Sequence, residues 1–414
     1  MTAPKYDVVV FGATSFVGQI LAKYLAEHFA GKSEKLRWAI AGRSVSKLGE
    51  LKRSLGNAGK GLPVIIADAA NAEQLQALAA QTRVVVSTVG PYALFGEPLI
   101  KVCAQSGTDY CDLTGETPWI KRMIDKYEAA AKRSGARIVH CCGFDSVPSD
   151  MGVYFLQQHA QKQFGRPCNR VKMRVKSLKG SASGGTVASM INIAKEAAAN
   201  PALRKELADP YSLCPKDHGF KVRQRNVNFA EFDRDFNAWS APFVMAAINT
   251  RIVHRSNALS GNAYGDNFQY DEAMLTGRGI TGRVTALAVV AGLAGFMVGT
   301  VIKPARWLMQ NYLLPKPGEG PGPEAQLAGR YDLRFFGQTD NGDTLRAKVT
   351  GDRDPGYGST GKILGQAAAS IALDNYKNGK KTGRVGGFWT PATMFDQRFI
   401  DRLTRHAGLK FEVV

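Results

Sequence analysis

Near the start of the chain an apolar run at 7–11 leads into Gly12-Ala13-Thr14-Ser15-Phe16-Val17-Gly18, where a helical stretch begins. Gly12 permits a sharp turn out of a strand. Ala13, Thr14, Ser15, Phe16 and Val17 then present backbone N–H groups at a helix N-terminus, where the dipole favours an anion. Gly18 allows close packing of helix on strand. Strand, glycine turn and helix start, in that order, form a cradle for the pyrophosphate of a dinucleotide. Ser15 stands where this pattern usually carries glycine. It is small enough for a phosphate to approach, and its hydroxyl is a donor.

A second strand ends in Ala41-Gly42-Arg43-Ser44. An acidic residue here suits a free ribose 2′-hydroxyl, whereas a cation suits a 2′-phosphate. No acidic residue occurs until Glu50. Arg43, with Ser44 and Lys47 beside it, therefore favours NADP over NAD, since a guanidinium pairs with phosphate bidentately. The alternative is an arginine on a helix surface. Asp68, at the end of a third strand, either faces the adenine side or caps the following helix. Thr88, Gly90, Pro91 and Tyr92 end the fourth strand, on the nicotinamide side. Asp145 and Ser146 lie in a polar, glycine-opened stretch after the sixth, where they could meet nicotinamide or substrate. Ser149 and Asp150 read as helix caps, and Glu116 as a cap for a helix beginning at Pro118.

These residues need a frame. Apolar runs at 7–11, 37–41, 63–67, 83–87, 109–112 and 137–141 read as buried parallel strands. Helical stretches begin near Phe16, Val45, Asn71, Glu97, Pro118 and Met151. The alternation predicts an α/β fold: an N-terminal Rossmann-type, parallel, doubly wound sheet over 1–150. From 171 the pattern changes. Strands are expected at 171–178, 330–338 and 344–350, the last two joined by the hairpin turn Asp340-Asn341-Gly342-Asp343. This predicts a second, α+β domain over 151–386 on a mixed or antiparallel sheet, carrying substrate and homodimer contacts. The segment 387–414 is expected to pack back on the first domain, and 315–323 is a Pro/Gly linker.

The 414 residues carry 54 Lys+Arg and 35 Asp+Glu, a net +19. Residues 1–150 hold 18 basic and 14 acidic side chains, so +4 lies there and +15 in the remainder. A basic second half suits an anionic partner: a phosphorylated cofactor, a phosphopantetheine-bearing substrate or carrier, or an anionic membrane. A nucleic-acid partner is not expected, because no binding motif and no Lys/Arg cluster with interleaved aromatics occurs. The six cysteines lack metal-ligand spacing and no secretory pattern opens the chain, so a reducing, cytoplasmic location is expected. The six histidines show no pairing that suggests a metal or a nucleophile triad, and His140 reads as the end of a buried strand. Residues 284–302 contain no charge. At about 1.5 Å per residue they could just cross a bilayer core, pack inside the protein, or dock on a membrane surface as a peripheral contact.

Several strings together resemble the saccharopine dehydrogenase-like oxidoreductases, and more closely the branch of the mycobacterial trans-acting enoyl reductases. They are GATSFVG, AGRS, STVGPYALFGEPLIKVCAQSGTDYCDLTGE, HCCGFDSVPSDMG, SGGTVAS, INTRIVHRSNAL, YGDNFQYDEAM and GGFWTPATMFDQRFIDRL. The resemblance implies an NAD(P)-binding domain, a second α+β domain, and reduction of a carbon–carbon double bond on a lipid or polyketide acyl chain, in free or carrier-bound form. Such a reduction needs a donor beside the enolate oxygen. Tyr92 is the first catalytic candidate and Asp145 the second; a packed tyrosine is the alternative for Tyr92. Two other readings remain open: a C–N dehydrogenase or imine reductase of the saccharopine type, using Arg251 and Arg255 for carboxylates, and a non-catalytic, lipid-associated protein that keeps the fold. Ser183-Gly184-Gly185-Thr186 is a further candidate anion site at a helix start.

Overall fold

The computed structural model describes residues 4–29, 34–180, 184–302, 304, 307 and 320–414. Contacts divide the chain into two units. One comprises Met1–Phe144, Gly318–Gly320 and Gly356–Ala407; the other comprises Asp145–Pro317, Pro321–Pro355 and Gly408–Val414.

In the first unit, β1 (Tyr6–Phe11), β2 (Trp38–Gly42), β3 (Val64–Ile66), β4 (Thr82–Ser87), β5 (Asp109–Asp112) and β6 (Arg137–Val139) join a late strand, Gly387–Trp389. From that late strand the order runs β6-β5-β4-β1-β2-β3, and every pairing is parallel. Val8, Val9 and Val10, like Val84, Val85 and Val86, are wholly buried, as strands covered on both faces must be. The covering helices include α1 (Phe16–Phe29), α2 (Val45–Ser54), α3 (Ala72–Ala79), α4 (Tyr92–Phe95), α5 (Glu97–Ser106) and α6 (Thr117–Ser134). The order reverses between β1 and β4, where a doubly wound sheet binds its ligand beyond the strand ends.

The two edges of this sheet are chemically different. At the amino edge, Asp7 takes Arg37 (2.7 Å) and Arg83 (3.1 Å). On the same edge Asp109 takes Arg137 (2.5 Å) and Lys381 (2.6 Å), with Asp109 and Arg137 fully buried. Those clusters hold strands together. The carboxyl edge carries Gly12, Arg43, Thr88, Asp112 and His140.

The second unit is built on β7 (Arg170–Lys179), β8 (Glu231–Asp233), β9 (Ala238–Pro242), β10 (Gln269–Gly277), β11 (Arg330–Gln338), β12 (Thr344–Gly351) and a closing strand, Leu409–Val413. From the closing strand the order is β12-β11-β7-β10-β9-β8, and only β7 with β10 is parallel. The fold is thus α/β, with a parallel doubly wound sheet and a second, mixed sheet. Its helices include α7 (Val147–Phe164), α8 (Gly184–Ala199), α9 (Pro201–Ala208), α10 (Ala246–Leu259) and α11 (Gly279–Val301). The expected hairpin joins β11 and β12, with Gly342 at φ +91° and the Thr339 amide donating to the Asp343 carbonyl at 2.8 Å.

Three boundaries differ from the expectation. The first unit ends at Phe144, not 150, and α7 starts at Val147 instead of Met151. Residues 356–386, placed by sequence in the second domain, lie in the first unit. There the helix Thr360–Ala369 packs on α1 through glycines: a Cβ on Gly361 would meet Ile20 at 2.9 Å, and one on Gly365 would meet Tyr24 at 2.8 Å. Of 387–414, residues Gly387–Trp389 do join the first sheet, but Leu409–Val413 pairs with β12 in the other. Ser183, Lys303, Arg306 and residues 315–319 lie outside the described residues.

Helix α11 contains the charge-free segment. Among the described residues it is the one helix long and apolar enough to cross a membrane; an 18-residue window within Gly279–Thr300 has mean hydropathy 1.6, yet only 11% of that window is buried. Burial inside its own unit is therefore excluded.

Candidate active site

The cradle at the end of β1 is built by hydrogen bonds that leave a specific set of amides free. Gly12 turns at φ +83°, and a Cβ there would lie 2.6 Å from Val89. The amides of Gly12 and Ala13 both donate to the Ala41 carbonyl (3.0 and 3.1 Å), and that of Ser15 donates to the Gly12 carbonyl. Of the five amides expected to face a phosphate, those of Thr14, Phe16 and Val17 have no acceptor among the described residues. A Cβ on Gly18 would sit 2.3 Å from the Gly12 carbonyl oxygen, so the close approach of α1 to the β1 turn requires glycine.

Ser15 is a correction. Its hydroxyl does not wait for a phosphate. It accepts from the Gly18 amide (2.9 Å), as an N-cap does, and donates to Thr88 Oγ1 (3.0 Å). Thr88 in turn donates to the Gly12 carbonyl at 2.9 Å. The serine that departs from the glycine pattern ties the phosphate loop to the end of β4. Ser15→Ala is expected to lower stability by about 1 kcal/mol, the worth of a lost cap, read as a shift in urea midpoint. An unchanged midpoint would contradict this role.

Beyond β2, Arg43 is exposed and has no ion pair among the described residues. Ser44 caps α2 by accepting from the Lys47 amide, and Lys47 is also exposed. The first turn of α2 holds no acid. Two unpaired cations at a helix N-terminus oppose the dipole. A bound anion would offset that, which suits a 2′-phosphate. Asp68 does not cap the next helix; Asn71 does, while Asp68 Oδ1 accepts from the Ala70 amide in a turn.

Tyr92 lies differently from the expectation of a free donor. It is 5% exposed, its hydroxyl donates to the Ser87 carbonyl at 2.9 Å, and its ring lies 5.4 Å from that of Trp119. The buried Glu116 does not serve the helix at Pro118. Its two oxygens accept from the amides of Tyr92 and Ala93, both at 2.9 Å. Together they brace the Gly90–Pro91 turn. Asp145 is half-buried on the turn after β6.

One pairing escaped sequence reading. His140 Nδ1 lies 2.7 Å from Asp112 Oδ2, which also accepts from Tyr110 at 3.0 Å. Asp112 Oδ1 accepts from the Thr114 and Cys141 amides. His140 Nε2 and the nearby Trp119 Nε1 are buried without a partner among the described residues. The usable signal was register: Cys111 pairs with Val139, which sets Asp112 beside His140 on adjacent parallel strands.

In the second unit, Arg251 and Arg255 do sit one turn apart on α10, but both are buried. Arg251 donates to the carbonyls of Ala247 and Leu207, and Arg255 to that of Leu213. They anchor the 207–213 segment and offer no anion site. Ser149 and Asp150 lie inside α7 and bond to α10: Ser149 accepts from Asn249 (3.2 Å), and Asp150 from Ser256 (2.7 Å). Asn249 also donates to Glu272 (2.9 Å) and accepts from Ser146 (3.0 Å), while Tyr270 donates to Glu272 at 2.7 Å. Burial pushes the Glu272 carboxyl up to about 7.

Residues 8–139 match the family described as the saccharopine dehydrogenase NADP-binding domain. A protein of Mycobacterium tuberculosis, provisionally named a trans-acting enoyl reductase, is 39% identical across 97% of this chain and 96% of its own length. The chain belongs to the trans-acting enoyl reductase branch of the saccharopine dehydrogenase-like oxidoreductases. Trans-acting enoyl reductases of Mycobacterium bovis and Mycobacterium ulcerans are 36% and 34% identical, each over 96% of both chains. The solved apo structure of the L-Glu-forming saccharopine dehydrogenase of Saccharomyces cerevisiae covers 98% of this chain and 99% of its own, with TM-score 0.51 and 11% identity, which shows the shared fold. In this enoyl reductase branch the free amides of Thr14, Phe16 and Val17 and the unpaired Arg43 fall inside the matched NADP-binding domain. This member of the branch is an NADP-dependent oxidoreductase.

Proposed function

We propose that the protein reduces a carbon–carbon double bond in an acyl chain of lipid or polyketide type, using NADPH. The observation that carries this is the near full-length likeness to trans-acting enoyl reductases, joined to a cofactor cradle whose free groups are chemically suited to NADP. The bound nicotinamide would supply the hydride. The protein's residues hold and orient. Thr14, Phe16 and Val17 would donate to the pyrophosphate, Arg43 and Lys47 would face the 2′-phosphate, and Asp68, Thr88, Gly90 and Pro91 would border the remaining cofactor surface. Tyr92, whose hydroxyl donates to the Ser87 carbonyl, is assigned to positioning that border. Asp145 is retained as the candidate proton source or substrate contact. The acyl chain is read as carrier-bound, the +15 of residues 151–414 favouring a phosphopantetheine arm or acidic carrier. A homodimer through the second unit and a peripheral membrane contact through 284–302 complete the proposal. Six free thiols favour a reducing, cytoplasmic location. The C–N dehydrogenase reading loses its support with the burial of Arg251 and Arg255.

The test is a titration of wild type and Arg43→Ala with NADPH and NADH. The substitution is expected to weaken NADPH by about 1.5–3 kcal/mol, the worth of a hydrogen bond to a charged group, and NADH little. Equal losses for both cofactors would remove Arg43 from the 2′-phosphate. NADPH oxidation by an enoyl-pantetheine thioester, but not by a keto acid with an amino acid, is the expected turnover. The reverse selectivity would overturn the proposal.

A further inference from the structure

Helix α11 is apolar on the side turned away from its unit as well as on the side packed against it. The side turned into its unit has small residues at its two ends, with Gly282, Ala286, Gly299 and Thr300 buried, and half-buried Val289, Val290, Leu293 and Phe296 between them; a Cβ on Gly282 would lie 2.3 Å from the Gly277 carbonyl. Further bulky apolar residues point outward. Ile280 is 84% exposed, Val284 59%, Leu287 52% and Val298 57%. With the exposed Ala291 and Ala294 they recur every three or four residues, so they form one stripe along a single face, about 27 Å long. An apolar helix tied to its sheet along one side cannot be enclosed by lipid on all sides while that packing lasts.

The surroundings select the occupant. Arg283 lies over the Trp239 ring at 5.4 Å, and Trp239 lies 5.9 Å from Phe232, which is 45% exposed. Arg278 stands exposed at the head of α11. This joins cations and aromatic rings to the start of the stripe, the composition of a membrane–water boundary. From position 273 to 318 the sequence has five basic residues and no acidic one. That field attracts an anionic lipid surface and repels a second copy of itself.

We propose that the Ile280–Val298 face of α11 docks side-on into the interfacial layer of an anionic membrane, with Arg278, Arg283, Trp239 and Phe232 at its rim, and that the chain does not cross the bilayer. The inference deepens the acyl-lipid reading and rests on it for its biological sense, but vesicle binding is measured without turnover, so the two fail separately. The experiment is flotation of the full chain with vesicles of phosphatidylcholine alone and of phosphatidylcholine with about one-third phosphatidylglycerol. Wild type is expected to float with the mixed vesicles and about tenfold less with the neutral ones or in molar salt. It should be released by alkaline carbonate. Leu287→Glu/Val298→Glu is expected to lose at least tenfold in partitioning while keeping its circular dichroism and NADPH affinity. Four results would overturn the proposal: no flotation of wild type with mixed vesicles; flotation of the folded double variant equal to wild type; retention through carbonate, which means a spanning helix; or a dimer that the double variant dissolves with no lipid binding in wild type, which means that a second copy covers the stripe.

Discussion

Arg137→Ala is expected to destabilise the first unit by about 3–5 kcal/mol, towards the lower figure, and to leave its affinity for NADPH unchanged where it remains folded. Breaking a buried ion pair on one side leaves the other charge uncompensated, which sets that range. Here Asp109 and Arg137 are fully buried, and Arg137 also donates to the carbonyls of Asn375 and Thr382. Lys381 still reaches Asp109 at 2.6 Å, and this moderates the loss. The cofactor is spared because the pair lies at the amino edge of the sheet, opposite the phosphate loop. Arg137→Met with Asp109→Leu should recover part of the loss, since buried pairs are often replaceable by apolar groups of similar volume, while Lys381 and the Tyr376 hydroxyl lose their carboxylate partner. Chemical denaturation of the single and double variants measures both. A double variant no more stable than the single would contradict the account.

Glu272→Gln is expected to reverse its effect with pH. The Glu272 carboxyl is fully buried, and its pKa is pushed from 4.5 to about 7, first by desolvation. Below pH 4.5 the acid is neutral folded and unfolded, so the folded state has its full stability there. Between 4.5 and 7 the unfolded chain releases the proton and the folded chain keeps it, so stability falls as pH rises. Above 7 the loss levels off at about 3 kcal/mol, at 1.36 kcal/mol per pH unit. Glutamine carries no such penalty, but its amide faces Asn249 Nδ2 and loses about 1 kcal/mol of hydrogen bonding. The variant should therefore be about 2 kcal/mol more stable at pH 8 and about 1 kcal/mol less stable at pH 4. His254, buried with its pKa lowered to about 3, works in the opposite direction, losing stability as pH falls below 6.5. Comparing variant with wild type at each pH cancels that contribution. Hydrogen exchange of the 264–277 peptide reads the unit concerned. A pH-independent difference would sink the prediction.

The parallel sheet was legible because its strands are apolar on both faces and its turns carry glycine where φ demands it. The turn from β1 into α1 was legible for the same reason, down to the closeness that Gly18 must allow. β10 was not, because Asp271 and Glu272 break its apolar pattern. Asp271 meets Arg174 at 2.6 Å, and Glu272 accepts from Asn249 at 2.9 Å; neither Arg174 nor Asn249 is near in sequence. Tyr92 illustrates the limit of position alone. Its place after β4 suggested a donor, but only the fold reveals that its hydroxyl already donates to the Ser87 carbonyl. Asp112 with His140, and Ser15 with Thr88, are likewise pairs across strands. Single-sequence spacing does not report them unless register is worked out first. Which face of α11 packs on its unit was equally hidden, since both faces are apolar and periodicity cannot tell inside from outside.

The late strand Gly387–Trp389 has a consequence for how the chain is made. It pairs with β6, which ends at Val139, so the first sheet gains its last strand only after some 250 further residues have been synthesised. At about 5–20 residues per second that interval is roughly 12–50 s. Throughout it the nascent chain carries β6 as an open edge of a parallel sheet, a template for pairing with other chains. A ribosome stalled within the second unit would leave that edge exposed, so chaperone demand should fall on the middle of translation and not on its beginning.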